Sequence, residues 1–294
     1  MIRGFLFPGQ GSQFVGMGKE LYLEHEEARK IYEKINEITK IDIAKISFEG
    51  PEDILNQTKY TQLAVLANSL ASLEVLKKQG IYAKISAGLS LGEYTALIYS
   101  KKISFEDGVN IVKKRGELMQ DLAPKGDWQM AAVLGLKDDE VENLCKMVTN
   151  GFLAPVNYNC PGQVVVTGDK IGIENLENLI NERKAGKIRK LKTSGPFHTE
   201  KLIESSNALR KELDKIKFGK FESEVIKNID GELYNENDDI RDILAKHIIS
   251  PVRFSKGLKK MKELGVEEFL EVGPGKTLSG FVRRMKWWRK IKWQ

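Results

Sequence analysis

The sequence predicts an α/β fold, and two patterns carry that reading. Short apolar runs that end in glycine or proline breaks alternate with longer segments of helical periodicity: residues 2–7 before Pro8-Gly9, 81–87 before Gly88 and 266–272 before Gly273. Between them, residues 126–193 follow a β-α-β-β-α-β order, the ferredoxin-like plan, and read as a compact insert. A chain of 294 residues has room for one large domain or two modest ones, with ample core.

Bulk properties set bounds on function. No apolar run reaches about 18 residues, so no transmembrane helix is expected. Met1–Pro8 is too short and too weakly basic for a signal peptide. Cys145 and Cys160 make neither a disulfide framework nor a paired metal spacing, so a cytoplasmic protein with free thiols is expected. The net charge of +6 is local. Arg283, Arg284, Lys286, Arg289, Lys290 and Lys292 lie in the last fourteen residues with no acid among them. Residues 1–280 are therefore formally neutral, which argues against a nucleic-acid partner.

Residues 2–7 read as a buried strand, and Pro8-Gly9-Gln10-Gly11-Ser12-Gln13 breaks it. Met17–Thr39 reads as one long amphipathic helix with Leu21, Ala28, Ile31, Ile35 and Ile38 inward; His25 falls on its solvated face. Gln62–Gln79, apolar on most sides, reads as a buried helix stopped by Gly80. The apolar segment 81–87 then runs into Gly88-Leu89-Ser90-Leu91-Gly92, ahead of a helix over Leu91–Ser100. Gly-x-Ser-x-Gly between strand and helix is the setting of a nucleophile elbow. Its alternative is a plain loop serine.

Glu106–Ala123 is the next helix. Ile111, Leu118 and Leu122 form its inward stripe, and Arg115 occupies the missing position of that stripe. A buried arginine needs a partner, either a protein carboxylate or the carboxylate of a ligand. In the insert, strands are expected over Gln129–Gly135, Leu153–Tyr158, Gln163–Gly168 and Lys187–Lys192, and helices over Asp138–Thr149 and Ile173–Arg183. Gly195-Pro196-Phe197-His198 follows, ahead of a helix over Glu200–Ile216. Of the three histidines, His198 is the best candidate base, since it sits at a domain junction and a helix start. His247 precedes another break, Ser250-Pro251. Gly273-Pro274-Gly275-Lys276-Thr277 is not a phosphate loop, because Leu270 stands where that motif requires glycine.

Seven motifs, in order and spacing, carry a resemblance. They are Phe7-Pro8-Gly9-Gln10-Gly11-Ser12-Gln13, Gly88-Leu89-Ser90-Leu91-Gly92-Glu93-Tyr94, Arg115-Gly116, Asn157-Tyr158-Asn159-Cys160-Pro161-Gly162-Gln163, Pro196-Phe197-His198, Ser250-Pro251-Val252-Arg253-Phe254 and Gly273-Pro274-Gly275-Lys276. By these the chain resembles the malonyl-CoA:acyl-carrier-protein transacylases, within the acyltransferase family of fatty-acid and polyketide synthases. The resemblance implies an α/β-hydrolase-like large subdomain with a parallel sheet over 1–125 and 194–284. It further implies a ferredoxin-like insert over 126–193 and a cleft between the two. Residues 285–294 form a cationic tail with Trp287, Trp288 and Trp293 and have no counterpart in the family. That tail reads as a membrane-surface or nucleic-acid contact, an altered reading frame or an appended segment.

The resemblance also implies roles. Ser90 looks like the nucleophile and His198 like its general base, with the amides of Gln10 and Leu91 as the oxyanion hole. Arg115 looks like the partner of the malonyl carboxylate. Phe197, Asn159 and His247 are expected to border the substrate, with Phe197 beside the acyl α-carbon. Leu89 and His247 depart from the family, which often has histidine at the first position and glutamine or asparagine at the second. Lys187, Arg189 and Lys190 are expected to contact the acidic carrier protein; a solvated edge strand is the alternative. No resident cofactor or metal is expected, the substrates being malonyl-CoA and phosphopantetheinylated carrier protein. No integral membrane association is expected, and the chain is expected to act as a monomer. The competing functions are a serine esterase or thioesterase on a related fold and a non-enzymatic scaffold. Arg115 argues against the first, and intact Ser90, His198 and Arg115 argue against the second.

Overall fold

The computed structural model describes residues 1–192 and 195–286. From Trp287 on, the tryptophan-rich tail lies outside the described residues, as does Ser194. The chain opens with β1 (Ile2–Phe7), then α1 (Lys19–Glu24), α2 (Glu26–Thr39), α3 (Ile43–Glu49), α4 (Glu52–Leu55) and α5 (Thr58–Lys78). β2 (Ile85–Gly88), α6 (Gly92–Tyr99) and α7 (Phe105–Asp121) complete the first part. The insert is β3 (Trp128–Leu134), α8 (Asp138–Met147), β4 (Leu153–Cys160), β5 (Gln163–Asp169), α9 (Lys170–Arg183) and β6 (Lys187–Lys190). The chain then returns through α10 (Ile203–Leu213), β7 (Glu224–Ile226), α11 (Ile240–His247), α12 (Phe254–Glu263), β8 (Val266–Glu271) and α13 (Thr277–Arg284).

Two four-stranded sheets result. The first, ordered β7-β2-β1-β8, is parallel throughout. Its inner strands are buried on both faces, which is why β1 and β2 read as continuous apolar runs rather than alternating ones. α5 packs among α2, α3 and α7 with 15 of its 21 residues buried, which is why it reads as apolar on most sides. The second sheet, ordered β4-β5-β3-β6, is antiparallel. Ala131, Val133, Val164 and Val166 face α8 and α9, where they form a core of their own. Met130, Ala132 and Val165, the alternate residues, face the other way and pack with the main core.

A short segment joins the sheets. Val252 donates its N–H to Val156 O at 2.8 Å and accepts from Tyr158 N–H at 2.9 Å, extending the insert's β4 edge by one parallel bridge. The next residue, Arg253, donates to the carbonyl of Asn228, just past β7 of the first sheet, at 2.7 Å.

Some sequence expectations shift. Met17–Thr39 is two helices rather than one, broken at His25, whose backbone is extended. The break lets Tyr22 of α1 turn onto Tyr32 and Phe48, with ring centroids at 5.9 and 5.2 Å. Leu122 does not join the inward stripe: α7 ends at Asp121, and Leu122 is 37% exposed in the cap. Residues 81–84 belong to the turn after α5, where Ile81 N–H bonds Leu76 O, so β2 starts only at Ile85. Glu200–Ile216 begins with a 3-10 turn and becomes α10 only at Ile203.

The glycines around the β2–α6 turn are steric requirements. A Cβ on Gly88 would overlap the backbone of Gly92, and one on Gly92 would overlap the carbonyl of Phe7. No side-chain rotation relieves either clash. Gly88→Ala is therefore expected to destabilise the fold by about 3 kcal/mol or more, measured as a lowered thermal midpoint. An unchanged midpoint would show that the turn has slack.

Candidate active site

Ser90 sits between β2 and α6 with φ +53°, in the left-handed region. Such a conformation costs a non-glycine residue about 1–3 kcal/mol and needs external support. Asn228 supplies it. Its Oδ1 accepts the Ser90 N–H at 2.7 Å, and its Nδ2 donates to Gly88 O at 2.7 Å. One amide thus clamps both sides of the turn.

His198 is 4% exposed and also takes a positive φ, +62°. Its N–H bonds Ile248 O at 3.1 Å, which fixes the backbone. Its Nε2 lies 2.8 Å from Ser90 Oγ. Its Nδ1 faces two carbonyl oxygens, His247 O at 2.9 Å and Ser250 O at 3.2 Å. Carbonyls only accept, so Nδ1 carries the proton and Nε2 is left to accept from the serine hydroxyl. The third member of the usual triad is replaced by backbone. Burial first and the Arg115 charge second push His198 down to about 4, against the two carbonyl bonds, so the ring is neutral at pH 7.

Arg115 is 1% exposed. Its Nη1 donates to Gln62 Oε1 at 2.7 Å and its Nη2 to Ser90 Oγ at 3.1 Å. The guanidinium stacks over the Tyr94 ring, 5.4 Å from its centroid, and Nε has no hydrogen-bond partner. Among the described residues no carboxylate lies within 4.0 Å of it. The protein thus holds a cation against the Ser90 hydroxyl with a neutral amide and an aromatic face rather than with a carboxylate in contact.

The loop after β1 reaches the same point. A Cβ on Gly9 would overlap the Leu89 carbonyl, so this loop lies against the turn. Gln10 Nε2 donates to Thr58 Oγ1 at 3.1 Å, while Ser12 Oγ donates to Gly9 O at 2.7 Å. Among the described residues, the backbone N–H groups of Gln10 and Leu91 have no protein acceptor. The Ser90 N–H, by contrast, is committed to Asn228.

Ser90 and Arg115 open onto a cleft of about 560 Å³ between the two sheets. Phe197, His198, Met130, Ala132, Asn157 and Asn159 line it. Phe197 is 7% exposed, and Asn159 is 3% exposed with an unpartnered Oδ1. The strand register sorts the basic residues. Arg189 pairs with Ala132 and shares its cleft-facing side, while Lys190 pairs with Ala131 and its ammonium lies 3.6 Å from Glu177 of α9. Both border the cleft mouth, and Lys187 is set back from it. The His247 side chain is fully buried and does not line the cleft; only its carbonyl enters the site.

The structure therefore brings Ser90, His198, Arg115, Phe197, Asn159, Gln10 and Leu91 together. Sequence reading missed Asn228, Gln62 and the Ser250 carbonyl. Gln62 could have been found as an isolated amide inside an apolar helix, since buried polar groups need partners. Asn228 stands 138 residues from Ser90 in sequence, and no local pattern marks it.

Fold and site together are those of an acyltransferase. The chain belongs to the acyl transferase domain family, whose sequence profile matches residues 4–285. It is similar to the malonyl CoA-acyl carrier protein transacylase of Bacillus subtilis, 39% identical over 290 residues, covering 98% of this chain and 91% of that one. Among solved structures, the malonyl CoA-acyl carrier protein transacylase of Clostridium perfringens has a TM-score of 0.94 and 41% identity, covering 100% of this chain and 93% of that one. A type II PKS acyl-carrier protein in complex with its malonyl-transacylase gives a TM-score of 0.95 at 31% identity, covering 100% and 96%.

The neutral form of His198 is the one that can take the serine proton. Its depressed basicity sets the acid limit: the rate of Ser90 acylation by an activated neutral ester should be level from about pH 5 upward and fall as pH drops through about 4. A pH–rate profile with its inflection near the ordinary histidine value of 6.5 would contradict this environment for the ring.

Proposed function

We propose that the chain moves a malonyl group from malonyl-CoA to the phosphopantetheine thiol of an acyl carrier protein, through a malonyl ester on Ser90. His198 Nε2 takes the Ser90 proton as Oγ attacks the thioester carbonyl. The tetrahedral oxyanion is held by the free N–H groups of Gln10 and Leu91. The C–S bond breaks, and the departing CoA thiolate takes the proton from His198. The carrier's thiol then gives its proton to His198 and attacks the ester. The C–O bond breaks, and Ser90 recovers its proton. Protons and leaving groups balance on these two side chains, so the scheme needs no resident cofactor.

Arg115 carries the malonyl assignment. A buried guanidinium with no carboxylate within 4.0 Å among the described residues, held 3.1 Å from the nucleophile, suits an acyl group that brings its own carboxylate. A simple esterase gains nothing from it. Phe197 borders the acyl α-carbon in this reading and leaves little room for a branch. The unpartnered Oδ1 of Asn159 suits an amide N–H of the pantetheine arm.

The carrier protein approaches at the cleft mouth, where Arg189 is the best-placed cation, with Lys190 and Lys187 behind it. In this reading 126–193 is an inserted wall of the cleft, and 1–125 with 194–284 the catalytic body. Among the described residues no helix is long and apolar enough to cross a membrane. Cys145 and Cys160 are free and buried, which suits a cytoplasmic location.

Intact mass after incubation with malonyl-CoA tests the scheme: the parent should carry a malonyl adduct and Ser90→Ala none. An adduct at full level on Ser90→Ala would overturn it. Arg115→Ala should slow malonyl transfer by about 2–5 kcal/mol in activation free energy while leaving acetyl transfer comparatively untouched. Equal slowing of both acyl groups would make Arg115 a structural residue.

A further inference from the structure

Behind the serine–imidazole pair lies a set of polar groups that the scheme above does not use. Glu93, in the first turn of α6, and His247, the last residue of α11, are both fully buried. Among the described residues neither ring nitrogen of His247 has a hydrogen-bond partner, and its Nδ1 lies 3.4 Å from Glu93 Oε2. The same carboxyl takes the phenolic O–H of Tyr234 on Oε1 and the backbone N–H of Asn228 on Oε2, the latter at 3.2 Å. Asn228 grips the turn that presents Ser90, while the carbonyl of His247 holds the Nδ1–H of His198. One carboxyl group therefore stands between the support of the nucleophile and the support of the base.

We propose that Glu93 is a positioning residue that couples these two supports, Asn228 on the nucleophile's side and His247 on the base's side. The inference rests on Ser90 and His198 being the acyl-transfer pair. A buried imidazole with no partner is costly, and the Glu93 carboxyl is the acceptor or donor within reach of its Nδ1. The gap of 3.4 Å is long for a hydrogen bond, but a movement of a few tenths of an ångström would close it. Burial pushes Glu93 up to about 8 and holds His247 well below its ordinary range. At neutral pH both groups are then uncharged, and the carboxylic O–H can donate to Nδ1. Because α6 begins beside the nucleophile and α11 ends at the base's acceptor, a shift at either end is felt at the other through Glu93.

A double-mutant cycle tests this. Asn228→Ala, His247→Leu and the double variant are compared by the single-turnover rate of malonyl adduct formation on Ser90, corrected for the folded fraction, and by KM for malonyl-CoA. Each single change should slow acylation roughly 10- to 100-fold with KM altered by no more than about twofold. The double variant should lose far less than the product of the two, as expected of coupled neighbours. His247→Gln, whose amide can still reach the carboxyl, should recover to within about threefold of the parent. Losses that multiply, or a His247→Gln as slow as His247→Leu, would overturn the coupling. If His247→Leu does not fold, Glu93→Gln takes its place in the cycle with the same two outcomes. No adduct on the parent would overturn the proposed function and this inference with it; an adduct with multiplying losses overturns this inference alone.

Discussion

The close passage of two backbone turns, one after β1 and one after β2, is the constraint on which the site depends. Gly9, Gly88 and Gly92 interlock there with no room for a side chain, and Leu89 N–H bonds the carbonyl of Phe7 at 2.9 Å. Everything reactive is placed by that contact. It sets the amide of Gln10 beside the elbow, forces Ser90 into a left-handed conformation and starts α6 directly beneath the serine, with the Leu91 N–H just ahead of the helix left without a protein acceptor among the described residues. The main-chain geometry is thus fixed before any substrate arrives, which is what electrostatic stabilisation of an oxyanion requires.

The second organising fact is an imbalance of charge. A fully buried guanidinium ordinarily demands a carboxylate, and the fold instead offers Gln62 and the face of Tyr94. That choice has a side effect on the base. Burial lowers His198's affinity for protons and the same cation lowers it further, and together they outweigh the carbonyls of His247 and Ser250, which raise it. The imidazole is held neutral as a result. The carbonyls of His247 and Ser250 orient the ring without adding a charge beside it.

Much of this was legible in the sequence, and the residues show why. Gly88, Ser90 and Gly92 are local to one turn, so their spacing carries their geometry. Arg115 announced itself as a charge in an apolar stripe, and the insert showed in its β-α-β-β-α-β order. What failed were features decided by tertiary contact. The kink at His25 depends on where Tyr22 finds Tyr32 and Phe48, and Leu122 is exposed because α7 stops one residue earlier. Asn228 serves a partner far away in the chain, and no local pattern encodes that; Gln62 shows as an amide in an apolar helix, but its partner Arg115 does not show with it. Lys190 was grouped with Arg189 by sequence, whereas the pleat sends its ammonium towards α9.

The strand-like segment at Val252 has a consequence for how such proteins can be recombined. The insert's sheet is completed at its β4 edge by a piece of the host chain, and the residue after that piece is bonded to Asn228. The portable unit is therefore discontinuous. A chimera that exchanged residues 126–193 alone would set β4 of one parent against the edge segment of another, immediately beside the carbonyls that orient the base. A graft that carried 250–254 along with the insert would keep this bridge within one lineage.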